Sequence, residues 1–197
     1  MELPNGVNVF QARPTDWIGN TYAGVNGDAP SGVDCYPGGW TTTLVRINPN
    51  GEVRQTPLNV CDARYAYTSP DGLFIRGSLP DTLTKLDSDG KRSWQYQPSD
   101  WDLSFGRLLV GADGNIAVHE ANYDIWRAER VIVLDGRSGH IIWSWSNSST
   151  TQWVHWQIAN NRIYLQTRHC DDGCSTTVGA YNAPLALDYP RSDLLVP

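Results

Sequence analysis

Short runs of alternating apolar and polar residues recur along the chain, separated by turn sequences rich in glycine, asparagine and aspartate. Alternation with a period of two is typical of β-strands whose two faces meet different environments. One clear copy lies within residues 70–96, and a second lies within residues 112–145. Each consists of a turn, an apolar strand, an alternating strand, a glycine turn and a strand that carries tryptophan. The pattern predicts repeated antiparallel sheets.

Weaker copies of the same unit lie within residues 16–54 and 159–181. The spacings from Gly51 to Gly90 and from Gly90 to Gly139 bracket the period of about 40–50 residues that is typical of propeller blades. We therefore predict an all-β fold, a β-propeller of about four four-stranded antiparallel blades or a partial propeller. The chain would form a single domain whose approximate blades are 1–58, 59–98, 99–148 and 149–197.

The glycines and tryptophans of the repeat have separate structural roles. Asn-Gly, Asp-Gly and Ser-Gly sequences supply the positive φ that tight hairpin turns require. Trp94, Trp143 and Trp145 recur at equivalent positions of the unit, and large aromatic side chains dominate buried area. We therefore expect these three to pack in the core or between blades and not to contact a ligand.

The sequence Val-Leu-Asp-Gly-Arg-Ser-Gly-His-Ile-Ile-Trp at 133–143, and its counterpart at 86–94, resemble the repeat of the pyrroloquinoline-quinone-like (WD40/YVTN-like) β-propellers. The resemblance implies four-stranded blades, and in the enzyme members a quinone on the propeller axis with calcium and two adjacent cysteines. No two cysteines are adjacent here, and no motif matches the calcium ligands. The chain is more similar to the noncatalytic scaffolds and surface proteins of the group, so we expect no cofactor. Many of these propellers have seven or eight blades, so further blades or a second copy could complete this one.

Composition narrows the classes of partner. The formal net charge of -6 and the absence of a lysine and arginine cluster argue against nucleic acid, which normally binds to a concentrated basic face. The longest apolar runs, such as 131–134, have the length of a strand and are far shorter than a membrane span. The sequence as it begins shows no signal peptide, as expected for a chain that starts at a mature or domain boundary.

The four cysteines predict disulfide bonds and an extracellular or cell-envelope location. Three pairings are formally open. We favour Cys170 with Cys174, because the intervening Asp-Asp-Gly is a turn sequence, and Cys35 with Cys61 across a larger loop. Zinc bound by His169, Cys170 and Cys174 is an alternative that lacks a clear fourth ligand, and free buried cysteines are another. We expect no metal site.

Catalytic and calcium-binding signatures are incomplete. The four histidines lack a nucleophile at a recognisable spacing, and no serine lies in a nucleophile-elbow sequence. Asp87-Ser88-Asp89-Gly90 begins like a calcium-binding loop, but no suitably placed glutamate follows, so a hairpin turn is favoured. The sequence therefore favours a noncatalytic role.

Aromatic residues outside the repeat are the candidate ligand contacts, because aromatic side chains on propeller loops can stack on a sugar or a peptide. The candidates are Trp101, Tyr123, Trp126, Trp153 and His155. Alternation places Trp153 and His155 on one face of their segment, so one of its two faces should be buried. The sequence thus predicts an extracellular binding or scaffold module that recognises a protein or glycan through its loops. The alternative is a cell-envelope hydrolase, lyase or quinone-dependent oxidoreductase with a site at the central channel.

Overall fold

The computed structural model describes residues 7–8, 15–16, 19–28, 35, 40–63, 65–78, 81–98, 104–122, 127–146, 151–159, 162–170 and 173–186. These residues form strands, turns and bends and contain no helix. The strands belong to four antiparallel sheets, in agreement with the all-β prediction. The chain divides into two compact units, 1–101 and 102–197, and each unit contains two of the sheets.

The first unit contains two four-stranded sheets whose strands follow one another in chain order. The first sheet consists of β1 (Val7–Asn8), β2 (Thr21–Asp28), β3 (Trp40–Ile47) and β4 (Val53–Cys61). The second consists of β5 (Tyr65–Ser69), β6 (Gly72–Gly77), β7 (Thr82–Asp87) and β8 (Arg92–Tyr96). Strand β4 continues past residue 58, where the sequence places the first blade boundary. The division into blades stays a prediction.

The second unit contains one four-stranded sheet and one with three described strands. The four-stranded sheet consists of β9 (Ser104–Val110), β10 (Ile116–Asn122), β11 (Arg127–Leu134) and β12 (Ile141–Ser146). The other consists of β13 (Thr151–Ala159), β14 (Arg162–Cys170) and β15 (Cys174–Asn182). Consecutive strands pair in both sheets, as hairpin connections dictate.

Apolar side chains between the two sheets form the core of each unit. In the first unit, Leu44 and Leu58 of one sheet share a buried cluster with Leu73, Ile75 and Leu86 of the other. In the second unit, the equivalent buried cluster contains residues of both sheets, including Val131, Val133, Trp156, Ile163 and Leu165. Neither sheet of a pair could bury its apolar face alone, so the packed pair is the stable arrangement.

The tryptophans of the repeat pack as the sequence predicts. Trp143 and Trp145 lie against the buried cluster of the second unit, and the ring of Trp143 is 6.2 Å from that of Tyr181 in the neighbouring sheet. The ring of Trp94 is 5.6 Å from that of Phe74 within its own sheet. These distances are typical of interacting aromatic pairs.

Glycines close the hairpins in the expected backbone conformation. Gly90 and Gly139 have φ angles of 80° and 73°, in the left-handed region that other residues adopt only at a cost. In the first of these turns, the carboxylate of Asp87 accepts hydrogen bonds from the backbone N–H groups of Asp89 and Lys91, at 2.9 and 2.8 Å. The acidic side chain therefore stabilises a hairpin turn, which is the structure that the sequence favours here over a calcium-binding loop.

The cysteines form disulfide bonds in the structure. Cys35 and Cys61 are bonded, with their Cα atoms 5.5 Å apart, which confirms that predicted pair. Cys174 is also disulfide-bonded, and Cys170 lies opposite it in the β14–β15 register. The bond between Cys35 and Cys61 joins the loop before β3 to the end of β4, and so holds the edge of the first sheet.

Candidate functional site

The aromatic candidates from the sequence are only partly within the described residues. Trp101, Tyr123 and Trp126 lie outside them. Trp153 and His155 belong to strand β13, where their backbones pair with Arg168 and Gln166. The segment is therefore a strand and not an irregular loop, because its alternating residues pair with β14 along the whole of β13. Their use as ligand contacts stays a prediction.

Side chains alternate between an exposed and a buried face along β13, as the sequence predicts. The side chain of His155 is exposed, whereas that of Trp156 is buried in the core of the second unit. The guanidinium of Arg107 lies 5.7 Å from the centre of a Trp156 ring, within the range of a cation–π contact. Trp156 is thus a structural residue.

A buried lysine forms a polar cluster in the first unit. Lys85 lies in the middle of β7, and its ammonium donates hydrogen bonds to Ser69 Oγ and, at 2.6 Å, to Asp71 Oδ1. The same ammonium is 4.3 Å from the centre of the Phe74 ring. The oxygen atoms and the aromatic ring around the ammonium replace part of the hydration free energy that the cation loses on burial.

The pKa values of this cluster follow from burial and pairing. Burial lowers the pKa of Lys85, although the hydrogen bond and charge of Asp71 oppose that change. Burial would raise the pKa of Asp71, but the hydrogen bond and charge of Lys85 outweigh it and hold the pKa below its ordinary value. Asp71 is therefore ionised at neutral pH, and its charge favours the ammonium form of Lys85.

A serine beside a lysine of lowered pKa could suggest a nucleophile and its base. Ser69 and Lys85 are each only 2% exposed, however, while the side chain of Asp71 is 55% exposed. A substrate would meet Asp71 and not the hydroxyl. The cluster is an internal ion pair that fixes the β5–β6 turn to β7.

A surface cleft of about 280 Å³ lies between the two sheets of the first unit. Its apolar walls come from β4 and β7, and its rim comes from the β7–β8 turn and the start of β8. The lining residues are Pro57, Leu58, Val60, Thr84, Leu86, Gly90, Lys91 and Arg92. Leu58, Val60 and Leu86 are also members of the buried cluster, so the cleft opens directly onto the apolar core.

The cleft contains an unsatisfied buried hydroxyl. Thr84 is 1% exposed, and its Oγ1 has no hydrogen-bond partner among the described residues. Leaving a buried polar group unpaired costs about 1–3 kcal/mol. Alternation along β7 turns Thr84 and Leu86 to the cleft and Lys85 to the opposite face. Thr84 lines the cleft, so its hydroxyl lies just beneath the cleft wall, covered from solvent in the empty cleft.

The β7–β8 turn is held in place by cations of the first sheet. Arg46 donates a hydrogen bond to the carbonyl of Ser88, and Arg54 pairs with Asp89 at 3.7 Å. Beyond this turn, Lys91 and Arg92 are exposed on the rim of the cleft. The described lining residues include no carboxylate, so the rim is basic in a chain whose net charge is -6.

The sequence interpretation missed this cleft. The successive cations Lys91 and Arg92 after a glycine turn were a visible signal, but two adjacent cations are common on exposed strands. The apolar walls come from strands more than twenty residues apart in the chain, and their meeting depends on how the two sheets pack. Among the described residues, no three His, Cys, Asp or Glu side chains are grouped as metal ligands.

Comparisons with known proteins establish the fold and not the function. No protein-family model and no curated protein sequence matches the chain. Two structures of the Pyrococcus horikoshii acylaminoacyl peptidase, one uncomplexed and one of an orthorhombic crystal form, match with TM-scores of 0.55 and 0.57 at 10% and 9% identity, over 86% and 85% of this chain. The β-propeller domain of the Trilobed protease from Pyrococcus furiosus matches with a TM-score of 0.55 at 8% identity, over 90% of this chain.

The fold is that of a β-propeller. The chain spans about 30% of the peptidase chains and 54% of the Trilobed protease chain. The propeller predicted from the repeat is thus confirmed, and the resemblance to quinone-type propeller repeats is consistent with it. Within the described residues, no helix has the length and apolar character needed to cross a lipid bilayer.

Proposed function

We propose that the protein is a noncatalytic binding module of the extracellular space or cell envelope, which recognises a protein or glycan. The observation that carries this proposal is the cleft between β4 and the β7–β8 turn. It combines apolar walls, an unpaired buried hydroxyl and two exposed cations, and ligand sites are typically apolar concavities with a few polar groups that fix orientation. The rigid sheets on both sides would lower the ordering entropy lost on binding.

The disulfide bonds support the proposed location. A bond between Cys35 and Cys61, together with a disulfide-bonded Cys174, is typical of proteins that fold in oxidising compartments. Disulfides are rare in the reducing cytosol of most cells. The proposal of an extracellular or envelope location rests on this chemistry.

We propose further that the chain forms a single domain of about four blades within a larger propeller, completed by further blades or a second copy. The fraction of the Trilobed protease chain that it spans supports this proposal. Sedimentation velocity of the purified chain tests it. A concentration-dependent dimer would support completion by a second copy, whereas a monomer at all concentrations would exclude that version.

A binding screen tests the proposed function. The full chain, produced with its disulfides intact, is applied to a glycan array and to an array of extracellular proteins. We expect saturable binding to at least one class. The double variant K91Q/R92Q, which removes the exposed cations of the cleft, should bind more weakly.

Turnover assays address the enzymatic alternative directly. The same preparation is incubated with generic ester, peptide and glycoside substrates, and with alcohols in the presence of added quinone, calcium and an electron acceptor. Protein-dependent turnover would refute the noncatalytic proposal. Saturable binding without turnover is the expected result.

A further inference from the structure

We infer that the cleft between β4 and the β7–β8 turn binds an extended peptide segment in which a carboxylate side chain lies two residues from an apolar side chain, on the same face of the segment. This inference rests on the proposed function and specifies its ligand. It is carried by the charge of the rim, the size of the apolar cleft, the strands that form its walls and the unpaired hydroxyl of Thr84.

The charges around the cleft favour an anionic partner. The Asp87 carboxylate accepts two backbone hydrogen bonds within the turn, and Asp89 pairs with Arg54. These interactions occupy the acidic groups of the turn and leave Lys91 and Arg92 at the rim. Arg92 donates a hydrogen bond to Gln95, a neutral partner that leaves its charge uncompensated. A carboxylate is the complementary group.

The size of the cleft favours a side chain over an enclosed sugar chain. Its volume of about 280 Å³ is slightly below the roughly 300–1,000 Å³ of pockets that enclose a whole drug-sized ligand. Pro57, Leu58, Val60 and Leu86 provide an apolar surface but few polar groups. An oligosaccharide would bury hydroxyl groups there without partners, at a cost in free energy. An apolar side chain has no hydroxyl groups to leave unpaired in the same place.

One wall and the rim of the cleft belong to terminal strands, β4 and β8, which can pair with an extended main chain. Strands β4 and β8 are the last strands of their sheets, and among the described strands each pairs with one neighbour. Terminal strands present backbone N–H and C=O groups on their outer edge, and extended peptides pair with such edges. The Thr84 hydroxyl is covered in the empty cleft, so it would donate to a peptide carbonyl or carboxylate oxygen only when the ligand displaces the side chains above it.

Titration of the isotope-labelled full chain with synthetic peptides, followed by NMR, tests the inference. The probe is a capped hexapeptide in which leucine and glutamate occupy successive positions of one face and serine occupies the positions between them, and the matched control carries lysine in place of glutamate. We expect saturable shifts of the Gly90, Lys91 and Arg92 amides with the acidic peptide and none with the basic one. A third arm uses an acidic disaccharide of glucuronate, and tighter binding of this sugar to the same amides would overturn the peptide assignment.

Variants separate a specific cleft from general attraction of anions. K91Q/R92Q should weaken the acidic peptide by about tenfold or more, because two complementary charges are lost. R137Q/R162Q removes the same charge from exposed positions of the second unit and should change affinity less than about twofold. Equal losses in the two double variants would overturn the inference.

The variant T84V removes only the unpaired hydroxyl and keeps the shape of the side chain. It should weaken the acidic peptide by about threefold to tenfold, the range expected for one lost hydrogen bond. Unchanged affinity in T84V would refute the role of this hydroxyl. If the wild-type chain binds array ligands but not the acidic peptide, the inference fails and the proposed function stands. Turnover without saturable binding would refute the function itself.

Discussion

The ion pair between buried Lys85 and half-exposed Asp71 gives the most quantitative prediction. The variant D71N keeps the shape of the acceptor but removes its charge, and leaves an ammonium that is 2% exposed without a counter-ion. Hydrogen bonds to charged groups contribute about 1.5–3 kcal/mol. Because the Asp71 side chain is 55% exposed, water screens the pair, and we take the lower end, about 1.5 kcal/mol. For a chain of this size, that loss lowers Tm by about 3–6 °C.

Thermal and urea unfolding, followed by tryptophan fluorescence, measure this loss. The matched control is D89N, which breaks the exposed pair with Arg54 and should cost less than about 0.5 kcal/mol. The pKa of Asp71 is lowered in the folded protein, so its contribution is complete above its ordinary pKa and disappears as pH falls through the folded pKa. Wild type and D71N should therefore converge in strong acid. Equal stabilities of D71N and D89N at neutral pH would refute this account.

Four further predictions concern the first unit and the cysteines. Gly72 has a φ of 152°, and an added Cβ would lie 2.1 Å from the carbonyl oxygen of Leu86. The variant G72A should therefore lower the urea midpoint by the equivalent of about 2 kcal/mol or more. An unchanged midpoint would contradict this close approach. T84V should raise Tm by a few degrees, because it removes an unpaired buried hydroxyl that destabilises the fold by about 1 kcal/mol or more. A lower Tm would show that the hydroxyl has a hydrogen-bond partner. C35S/C61S should destabilise the unit by about 3 kcal/mol. Thiol titration of the denatured, unreduced wild type should find no reactive thiols, and reactive thiols would contradict the disulfide assignment.

The local features of the fold follow from the sequence because they depend on neighbouring residues. Alternation defines strands such as β7, and Asp-Gly and Ser-Gly sequences place hairpin turns at Gly90 and Gly139. The tryptophan at the end of each clear repeat indicates packing, and Trp94 and Trp143 pack as expected. The pair Cys35 and Cys61 was also favoured from the sequence, since the other two cysteines flank a turn.

Only the tertiary structure determines which buried polar side chains have hydrogen-bond partners. Alternation shows that Thr84 and Lys85 face opposite sides of β7, but both of these faces are buried, and only the packing of the two sheets determines what each side chain meets. Lys85 meets the oxygens of the β5–β6 turn and becomes an internal ion pair. Thr84 meets a cleft whose other wall comes from β4, and keeps an unpaired hydroxyl. Sequence periodicity sets the direction of a side chain, but its partner comes from a distant strand, and that partner determines whether a polar group is paired, like Lys85, or unpaired, like Thr84.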